Sequence, residues 1–121
     1  MREGFAFVAF TGKGAALAER LRAELGGTVQ IPGESFSLGA WTAEHFPERK
    51  ALIFIGAAGI AVRAVAPHVR SKAEDPAVLC VDENGRFVIP LLSGHLGGAS
   101  CGCKKMFLIM IIPGNYTLST S

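Results

Sequence analysis

The loop Ser93-Gly94-His95-Leu96-Gly97-Gly98 combines a histidine with three glycines, directly after an apolar run. Glycine has no side chain, so a ligand meets little steric hindrance on approaching the imidazole of His95. An unperturbed imidazole has a pKa of about 6.5, which suits proton transfer near neutral pH. These residue types predict that His95 is a candidate for acid–base chemistry on a bound ligand.

A loop histidine can instead be structural, donating a hydrogen bond to a nearby carbonyl. We favour that interpretation for His45 and His68, which have no comparable glycine-rich surroundings. Ser93 and His95 do not form a convincing nucleophile pair, because residues two apart do not reliably face each other. The sequence also shows no separate acid to orient the histidine.

Two further glycine-rich turns, Thr11–Gly14 and Gly56–Gly59, follow apolar runs and precede predicted helices. In open α/β sheets ligands bind beyond the carboxyl ends of the strands, and a helix N-terminus favours an anion. We therefore expect all three turns to lie at such ends and to form one site for a ligand with carboxylates or phosphates. The alternative for the first two turns is that their glycines only permit tight turns. Arg63, about one turn into the second helix, either reaches that anion or is solvated.

The coarse pattern alternates apolar runs with amphipathic segments. It predicts an α/β fold with a mostly parallel sheet and helices on both faces, a Rossmann- or flavodoxin-like three-layer arrangement. Asp82-Glu83-Asn84-Gly85 is a strong turn signal and makes a hairpin at 77–92 possible. Asp75 is a turn cap or a site carboxylate. Predicted strands are 4–10, 28–31, 51–55, 77–81 and 87–92, and predicted helices are 15–25, 42–46 and 60–66.

Composition limits the possible partners and compartment. The chain of 121 residues has 12 Lys and Arg against 10 Asp and Glu, giving a net charge of +2. Those basic residues are scattered, which argues against a nucleic-acid surface. The amino end has no signal-peptide pattern, and the apolar run 106–112 is too short to span a bilayer. Three cysteines without zinc-type spacing favour a reducing cytoplasm and no metal site.

The pattern changes after Ser100. Residues 1–100 are predicted to form one α/β domain, whereas 101–121 lose the helical period and read as an atypical tail. We interpret that tail as a truncated or frame-altered end, with a late strand at 107–112 as the alternative.

Four blocks of the chain form an ordered series. They are Leu52-Ile53-Phe54-Ile55-Gly56-Ala57-Ala58-Gly59-Ile60-Ala61-Val62-Arg63, Lys72-Ala73-Glu74-Asp75-Pro76-Ala77-Val78, Val81-Asp82-Glu83, and Leu91-Leu92-Ser93-Gly94-His95-Leu96-Gly97-Gly98-Ala99. In order and spacing this series resembles the amino-terminal domain of the CbiG family, the cobalt-precorrin-5A hydrolases. The turn Phe10-Thr11-Gly12-Lys13-Gly14 resembles the family's first strand and helix more weakly.

The resemblance implies a hydrolase of anaerobic cobalamin (vitamin B12) biosynthesis, which opens the ring-A lactone of a cobalt-corrinoid and releases acetaldehyde. It implies that Gly12, Gly59, Arg63 and the loop residues Ser93, Gly94, Gly97 and Gly98 lie near the substrate. His95 would activate water toward the lactone carbonyl, while Arg63 and loop N–H groups hold a carboxylate or the oxyanion. Cobalt would arrive within the substrate, so no separate cofactor is expected.

The chain also departs from the family pattern. Ser100 stands where family members usually have asparagine, and we expect this chain to lack the family's carboxyl-terminal domain. A carboxyl-terminal domain or a homodimer is therefore a possible partner. Two other functions stay open: a non-catalytic domain that binds a tetrapyrrole or a partner chain, and a nucleotide-binding module using Thr11–Gly14. The latter lacks an acidic ribose ligand and a magnesium ligand.

Overall fold

The computed structural model describes residues 3–56, 58–71 and 74–93, and strands alternate with helices along most of that length. The predicted order of elements is confirmed, with shifts of a few residues at most boundaries. Residues 101–121, including the predicted tail and late strand, lie outside the described part. The elements are β1 Glu3–Ala9, α1 Gly12–Leu25, β2 Thr28–Gln30, α2 Leu38–His45, β3 Arg49–Ile55, α3 Ala58–Val65, a 3-10 turn Ala66–His68, β4 Ala77–Val81 and β5 Val88–Ser93.

The strands form one five-stranded sheet in the order β2-β1-β3-β4-β5. Neighbouring strands from β2 to β4 run parallel, and β5 alone runs antiparallel, paired with β4. The mostly parallel α/β fold and the hairpin at 77–92 are therefore confirmed. From the middle of the sheet, β1 is followed along the chain by β2 on one side, and β3 is followed by β4 on the other. The topological switch point lies between β1 and β3.

Two apolar layers cover the two faces of the sheet. Residues 51–55 of β3 are all buried, so the strand shows no alternation, as expected when both faces are covered. On one face α1 packs through Leu17, Ala18 and Leu21. On the other, α2 and α3 pack through Trp41, Ala61 and Val65. The three-layer arrangement follows from this division of strand side chains between opposite helices.

Helix α2 begins four residues earlier than the predicted helix 42–46. Its N-cap is Ser37, whose hydroxyl accepts a hydrogen bond from the backbone N–H of Ala40 at 3.1 Å. This contact satisfies one of the free N–H groups of the first turn. Gly39 lies in that turn and weakens the helical pattern of the sequence. In the sequence, Ser37 is the N-cap signal that could have located the start of α2. Gly39 hid this start, because glycine is unfavourable within a helix.

Within the described residues no helix is both long enough and apolar enough to cross a membrane.

Candidate functional site

The first two glycine-rich turns lie side by side at the switch point. Thr11–Gly14 follows β1 and Gly56–Gly59 follows β3, and these two strands are adjacent and parallel. Helices α1 and α3 start from these turns on opposite faces of the sheet. This crevice at the carboxyl ends is where open α/β sheets bind ligands. The prediction that these two turns share one edge is confirmed.

Thr11 organises the first turn. Its hydroxyl accepts a hydrogen bond from the backbone N–H of Gly14 at 2.9 Å and so caps α1. The same hydroxyl donates to Oε1 of Glu83 at 2.7 Å. Glu83 thus brings a carboxylate close to the positive end of α1, where negative charge is favoured. In this conformation the chain's own carboxylate lies beside the turn at which we predicted a ligand anion.

Three of the four glycines in the two turns, those at positions 12, 14 and 59, fall into two groups. A Cβ on Gly14 would lie 3.1 Å from the Thr11 hydroxyl and 3.2 Å from a methyl of Ile55, so close packing favours glycine there. A Cβ on Gly12 or Gly59 would meet no atom within 4 Å, and neither has positive φ. The fold itself therefore does not require glycine at 12 or 59, and the space beside both is open.

Arg63 lies four residues after Gly59, in the last turn of α3. Residues four apart share a helix face, so Arg63 lies on the same side of α3 as Gly59, one turn further from the sheet edge. Its side chain is exposed. The guanidinium is therefore accessible to solvent and to a ligand.

A cleft of about 410 Å³ opens between the start of α3 and the β4–β5 hairpin. Cys80 lies at its base and donates a hydrogen bond from Sγ to the carbonyl oxygen of Gly56 at 3.2 Å. Burial, together with the nearby carboxylate of Asp82, raises the pKa of the Cys80 thiol. The thiol therefore stays protonated near neutral pH and is a poor nucleophile. The cleft is lined by Gly56, Ala58, Cys80, Asp82, Glu83, Asn84, Phe87 and Ile89.

The third turn starts at the other edge of the sheet. Because β5 is antiparallel, Ser93 pairs with Ala77, the first residue of β4. Ala77 and Val81, the first and last residues of β4, are four steps apart, so this position lies about 13 Å from the carboxyl edge at about 3.3 Å per residue. Ser93 ends β5, but because β5 runs antiparallel to β4 it lies beside the amino ends of the parallel strands. The expectation that all three turns meet at one end of the sheet is therefore wrong for the start of the third. Gly94, His95, Gly97 and Gly98 lie outside the described residues.

Asp75 is a structural cap at that amino-terminal edge. Its buried carboxylate accepts the backbone N–H of Arg70, at 2.9 Å to Oδ2 and 3.2 Å to Oδ1. Of the two interpretations given to Asp75, the turn cap is confirmed. A cavity of about 280 Å³ opens beside it, lined by Ala43, Phe46, Pro47, Pro67, His68, Arg70, Glu74 and Asp75.

His45 and His68 have structural contacts, as expected. The Nδ1 atom of His45 accepts a hydrogen bond from Nε of Arg49 at 3.1 Å, and its ring packs on Trp41 at 5.0 Å between centroids. Burial, and then the charge of Arg49, lowers the pKa of His45. The ring of His68 packs on Phe46 at 5.7 Å.

Sequence reasoning missed the contacts between the first turn and the hairpin. Thr11 contacts Glu83, and Nζ of Lys13 donates to Oδ1 of Asn84 at 2.8 Å. Asp82-Glu83-Asn84-Gly85 was correctly interpreted as a turn, because Gly85 N–H donates to the Asp82 carbonyl at 2.8 Å. The partners in these two hydrogen bonds are 72 and 71 positions apart in the sequence, and no local sequence pattern links them. Only the order of the strands, with β1 and β4 flanking β3, brings the two turns near each other.

The fold and the switch-point crevice define a doubly wound α/β protein with an antiparallel edge strand. The family model described as cobalamin synthesis G N-terminal (CbiG) matches residues 40–110, more than half of the 121-residue chain. The chain belongs to this CbiG family, as its sequence motifs predicted.

Two curated relatives are cobalt-precorrin-5A hydrolases. The protein from Salmonella typhimurium is 45% identical over 107 residues, covering 81% of this chain and 30% of the relative. The protein from Priestia megaterium is 47% identical over 55 residues, covering 46% of this chain and 15% of the relative. The chain therefore spans less than a third of the length of either relative.

A solved structure has the same fold. It is a homologue of cobalamin biosynthesis protein G from Sulfolobus solfataricus, with a TM-score of 0.70 and 24% sequence identity. The match covers 97% of this chain and 38% of that one. At this identity the likeness supports the α/β architecture alone.

Proposed function

We propose that this chain supplies the amino-terminal part of a cobalt-precorrin-5A hydrolase. The observation that carries the proposal is the 45% identity to the Salmonella typhimurium enzyme across 81% of this chain. Matched family residues 40–110 include the second and third glycine-rich turns, so the proposal covers the segments with candidate chemistry. Since the chain spans 30% of that relative, the remaining length supplies further parts of the active enzyme.

In the proposed reaction, water opens the ring-A lactone of the corrinoid and a two-carbon fragment leaves as acetaldehyde. His95 takes a proton from the attacking water, and Arg63 and backbone N–H groups stabilise negative charge. Cobalt belongs to the substrate and arrives with it. The loop after Ser93 begins at the amino-terminal edge of the sheet, so we assign different roles to this loop and to the switch-point turns. The switch-point turns hold the substrate's arms, and the loop after Ser93 acts at the lactone.

The open backbone at Gly12 and Gly59 supports a substrate-binding role for the switch-point turns. Each residue lies in the first turn of a helix, and a Cβ on either would fill space that the chain leaves empty. Acetate and propionate arms are anions, which the N–H groups of a helix N-terminus favour. Gly94, Gly97 and Gly98 are assigned to substrate binding by the family resemblance alone.

The test uses a hybrid in which this chain replaces the matching segment of the Salmonella typhimurium enzyme. Cobalt-precorrin-5A is supplied and acetaldehyde release is measured. We expect Gly12→Ala and Gly59→Ala to raise KM by about tenfold, equivalent to about 1.4 kcal/mol of binding. A methyl group would occupy the space assigned to the substrate. His95→Ala should lower kcat by about 100-fold or more, the usual contribution of a general base.

Gly39→Ala is the matched control, because Gly39 also lies in the first turn of a helix with only a distant contact, 3.8 Å from Ser37. It should leave both kinetic constants unchanged. An unchanged KM for Gly12→Ala and Gly59→Ala would remove the switch-point turns from the site. Substrate binding without acetaldehyde, unaffected by His95→Ala, would favour the non-catalytic tetrapyrrole-binding alternative.

The finer statements about partners and compartment belong to the same proposal. We infer that the chain works in the cytoplasm on a small corrinoid, without nucleic acid or membrane, and pairs with a carboxyl-terminal domain or a second copy. The balanced charge and the 30% coverage of the Salmonella typhimurium relative support this inference.

A further inference from the structure

The tip of the β4–β5 hairpin is tied to the first glycine-rich turn by two side-chain hydrogen bonds. Thr11 donates to Glu83 at 2.7 Å, and Lys13 donates to Asn84 at 2.8 Å. Both bonds are exposed to solvent. They join segments that are far apart in sequence and lie on opposite sides of β3 in the sheet.

The same tip separates two cavities. On one side is the cleft of about 410 Å³ with the apolar side chains of Phe87 and Ile89 in its wall. On the other is a cavity of about 370 Å³ against α1, with the cationic side chains of Lys13 and Arg20 in its wall. Glu83 and Asn84 line both cavities. Moving these two residues would join the cavities into one cleft.

The tip of the hairpin, residues 82–87, has fewer buried contacts to hold it in place than the preceding strand β4. None of residues 82–87 is buried, whereas all five residues of β4 are. Water competes for the donors and acceptors of an exposed hydrogen bond, so the two contacts oppose opening only modestly. Gly85, with φ of 73°, gives the tip a backbone position that glycine adopts without strain. Opening therefore disturbs the turn and leaves the sheet intact.

We propose that Glu83 and Asn84 form a latch that closes a single cleft at the switch point. In the closed state the Glu83 carboxylate bonds to Thr11 and the Asn84 amide bonds to Lys13. In the open state a carboxylate of the ligand takes the place of Glu83 at these same donors. The joined cleft would combine the apolar side chains of Phe87 and Ile89 and the carboxylate of Asp82 with the cationic side chains beside α1. Its apolar and cationic parts fit a flat apolar ring that bears carboxylate arms. Only the choice of a corrinoid as this ligand rests on the proposed function.

The test measures how fast N-ethylmaleimide alkylates Cys80, which is buried at the base of the cleft. The full chain is used with Cys101→Ser and Cys103→Ser, so that Cys80 is the only thiol. Glu83→Ala removes one of the two bonds of the latch, and Asn84→Ala removes the other. Each should raise the alkylation rate about two- to tenfold, the change expected for one exposed hydrogen bond.

Glu19→Ala is the matched control, because it breaks an exposed contact on α1, the 2.8 Å ion pair with Arg22, away from the hairpin. It should not change the alkylation rate. Equal rates for all variants and the parent would overturn the latch. So would a rise for Glu83→Ala that Glu19→Ala reproduces, since that would report general loss of stability.

Cobyrinic acid, a stable corrinoid with free carboxylate arms, tests the ligand. We expect it to slow alkylation of Cys80 in the parent chain, at lower concentrations in Glu83→Ala. Absence of protection would overturn the assignment of the cleft to a corrinoid. The alkylation rates without ligand do not depend on hydrolase activity. An inactive hybrid enzyme would therefore contradict the proposed function and leave the latch standing.

Discussion

The buried hydroxyl group of Thr42 lowers the stability of the folded chain. Thr42 lies on α2, fully buried, and its hydroxyl has no hydrogen-bond partner within the described part of the chain. A buried polar group without a partner costs about 1–3 kcal/mol of desolvation. The helix keeps this residue in the layer formed by Trp41 and its apolar neighbours, where a methyl group would fit as well.

We expect Thr42→Val to raise the free energy of unfolding by about 1 kcal/mol, because valine has the same shape without the hydroxyl. Urea denaturation of the full chain measures this change. Thr42→Ser is the control: it keeps the hydroxyl and loses the methyl group, so it should lower stability. A loss of stability in Thr42→Val would show that the hydroxyl has a partner in solution.

His45 links stability to pH. Burial, followed by the positive charge of Arg49, places its folded-state pKa below the ordinary 6.5. The unfolded chain therefore takes up the proton at higher pH than the folded chain. Stability should fall as the pH drops from above 6.5 to the lowered pKa. Protonated Nδ1 also cannot accept the hydrogen bond from Arg49.

Urea denaturation across about pH 5 to 8 measures this slope. His45→Asn keeps an acceptor near the position of Nδ1 but cannot titrate in this range, so its stability should depend less on pH. Parallel stability curves for His45→Asn and the parent chain would contradict the assignment.

At the scale of elements, the connection between α1 and β2 depends on two glycines. Gly26 and Gly27 have positive φ, of 79° and 106°. A Cβ on Gly26 would meet nothing within 4 Å, whereas a Cβ on Gly27 would overlap the backbone carbonyl of Phe5. This close approach lets β2 pair beside β1 directly after the helix ends.

Gly27→Ala should therefore destabilise the chain by more than about 2 kcal/mol, or prevent folding, because both the φ angle and the overlap oppose a side chain. Gly26→Ala should cost about 1–3 kcal/mol, and less than Gly27→Ala, because φ of 79° with ψ of −179° is a region that essentially only glycine adopts but no atom stands in the way. Gly33→Ala, with open space and no positive φ, should change stability little. Circular dichroism during urea unfolding measures all three. Equal effects of Gly26→Ala and Gly27→Ala would contradict the role of the Phe5 carbonyl.

The buried strands were the most predictable elements. Runs such as 51–55 and 77–81 are apolar throughout because both faces of the sheet are covered, so they stand out from the sequence. The place in the sheet where the chain leaves β5 was harder to predict. The turn 82–85 predicted a hairpin, but a hairpin also reverses the chain and carries Ser93 to the amino-terminal edge. The reversal therefore places the start of the third glycine-rich turn at the opposite end of the sheet from the first two.

The candidate site was predictable only in part. Glycine-rich turns after apolar runs located Gly12 and Gly59 at the switch point, because strand order determines which turns become neighbours. The contact of Thr11 with Glu83 has no local signature, since it depends on β1 and β4 flanking β3. Arg63 was correctly placed on the helix that contains Gly59, and its side chain is exposed.

At the scale of the whole molecule, the described sheet has two different edges. The carboxyl edge has the switch-point turns and the hairpin latch, and the amino-terminal edge has Ser93 and the cavity beside Asp75. The chain covers 30% of the Salmonella typhimurium relative, so in the proposed enzyme additional chain completes the site at one or both edges. A substrate as large as a corrinoid can contact more than one segment of such an assembly.

Acetaldehyde release from cobalt-precorrin-5A by the hybrid enzyme measures whether this chain can act as the amino-terminal part of a hydrolase. The comparison is the unmodified Salmonella typhimurium enzyme under the same conditions. If this chain supplies a working amino-terminal part, the hybrid should release acetaldehyde in step with loss of substrate, and His95→Ala should abolish most of that release. A folded hybrid that consumes no substrate and forms no acetaldehyde, beside an active parent enzyme, would show that this chain does not supply that part.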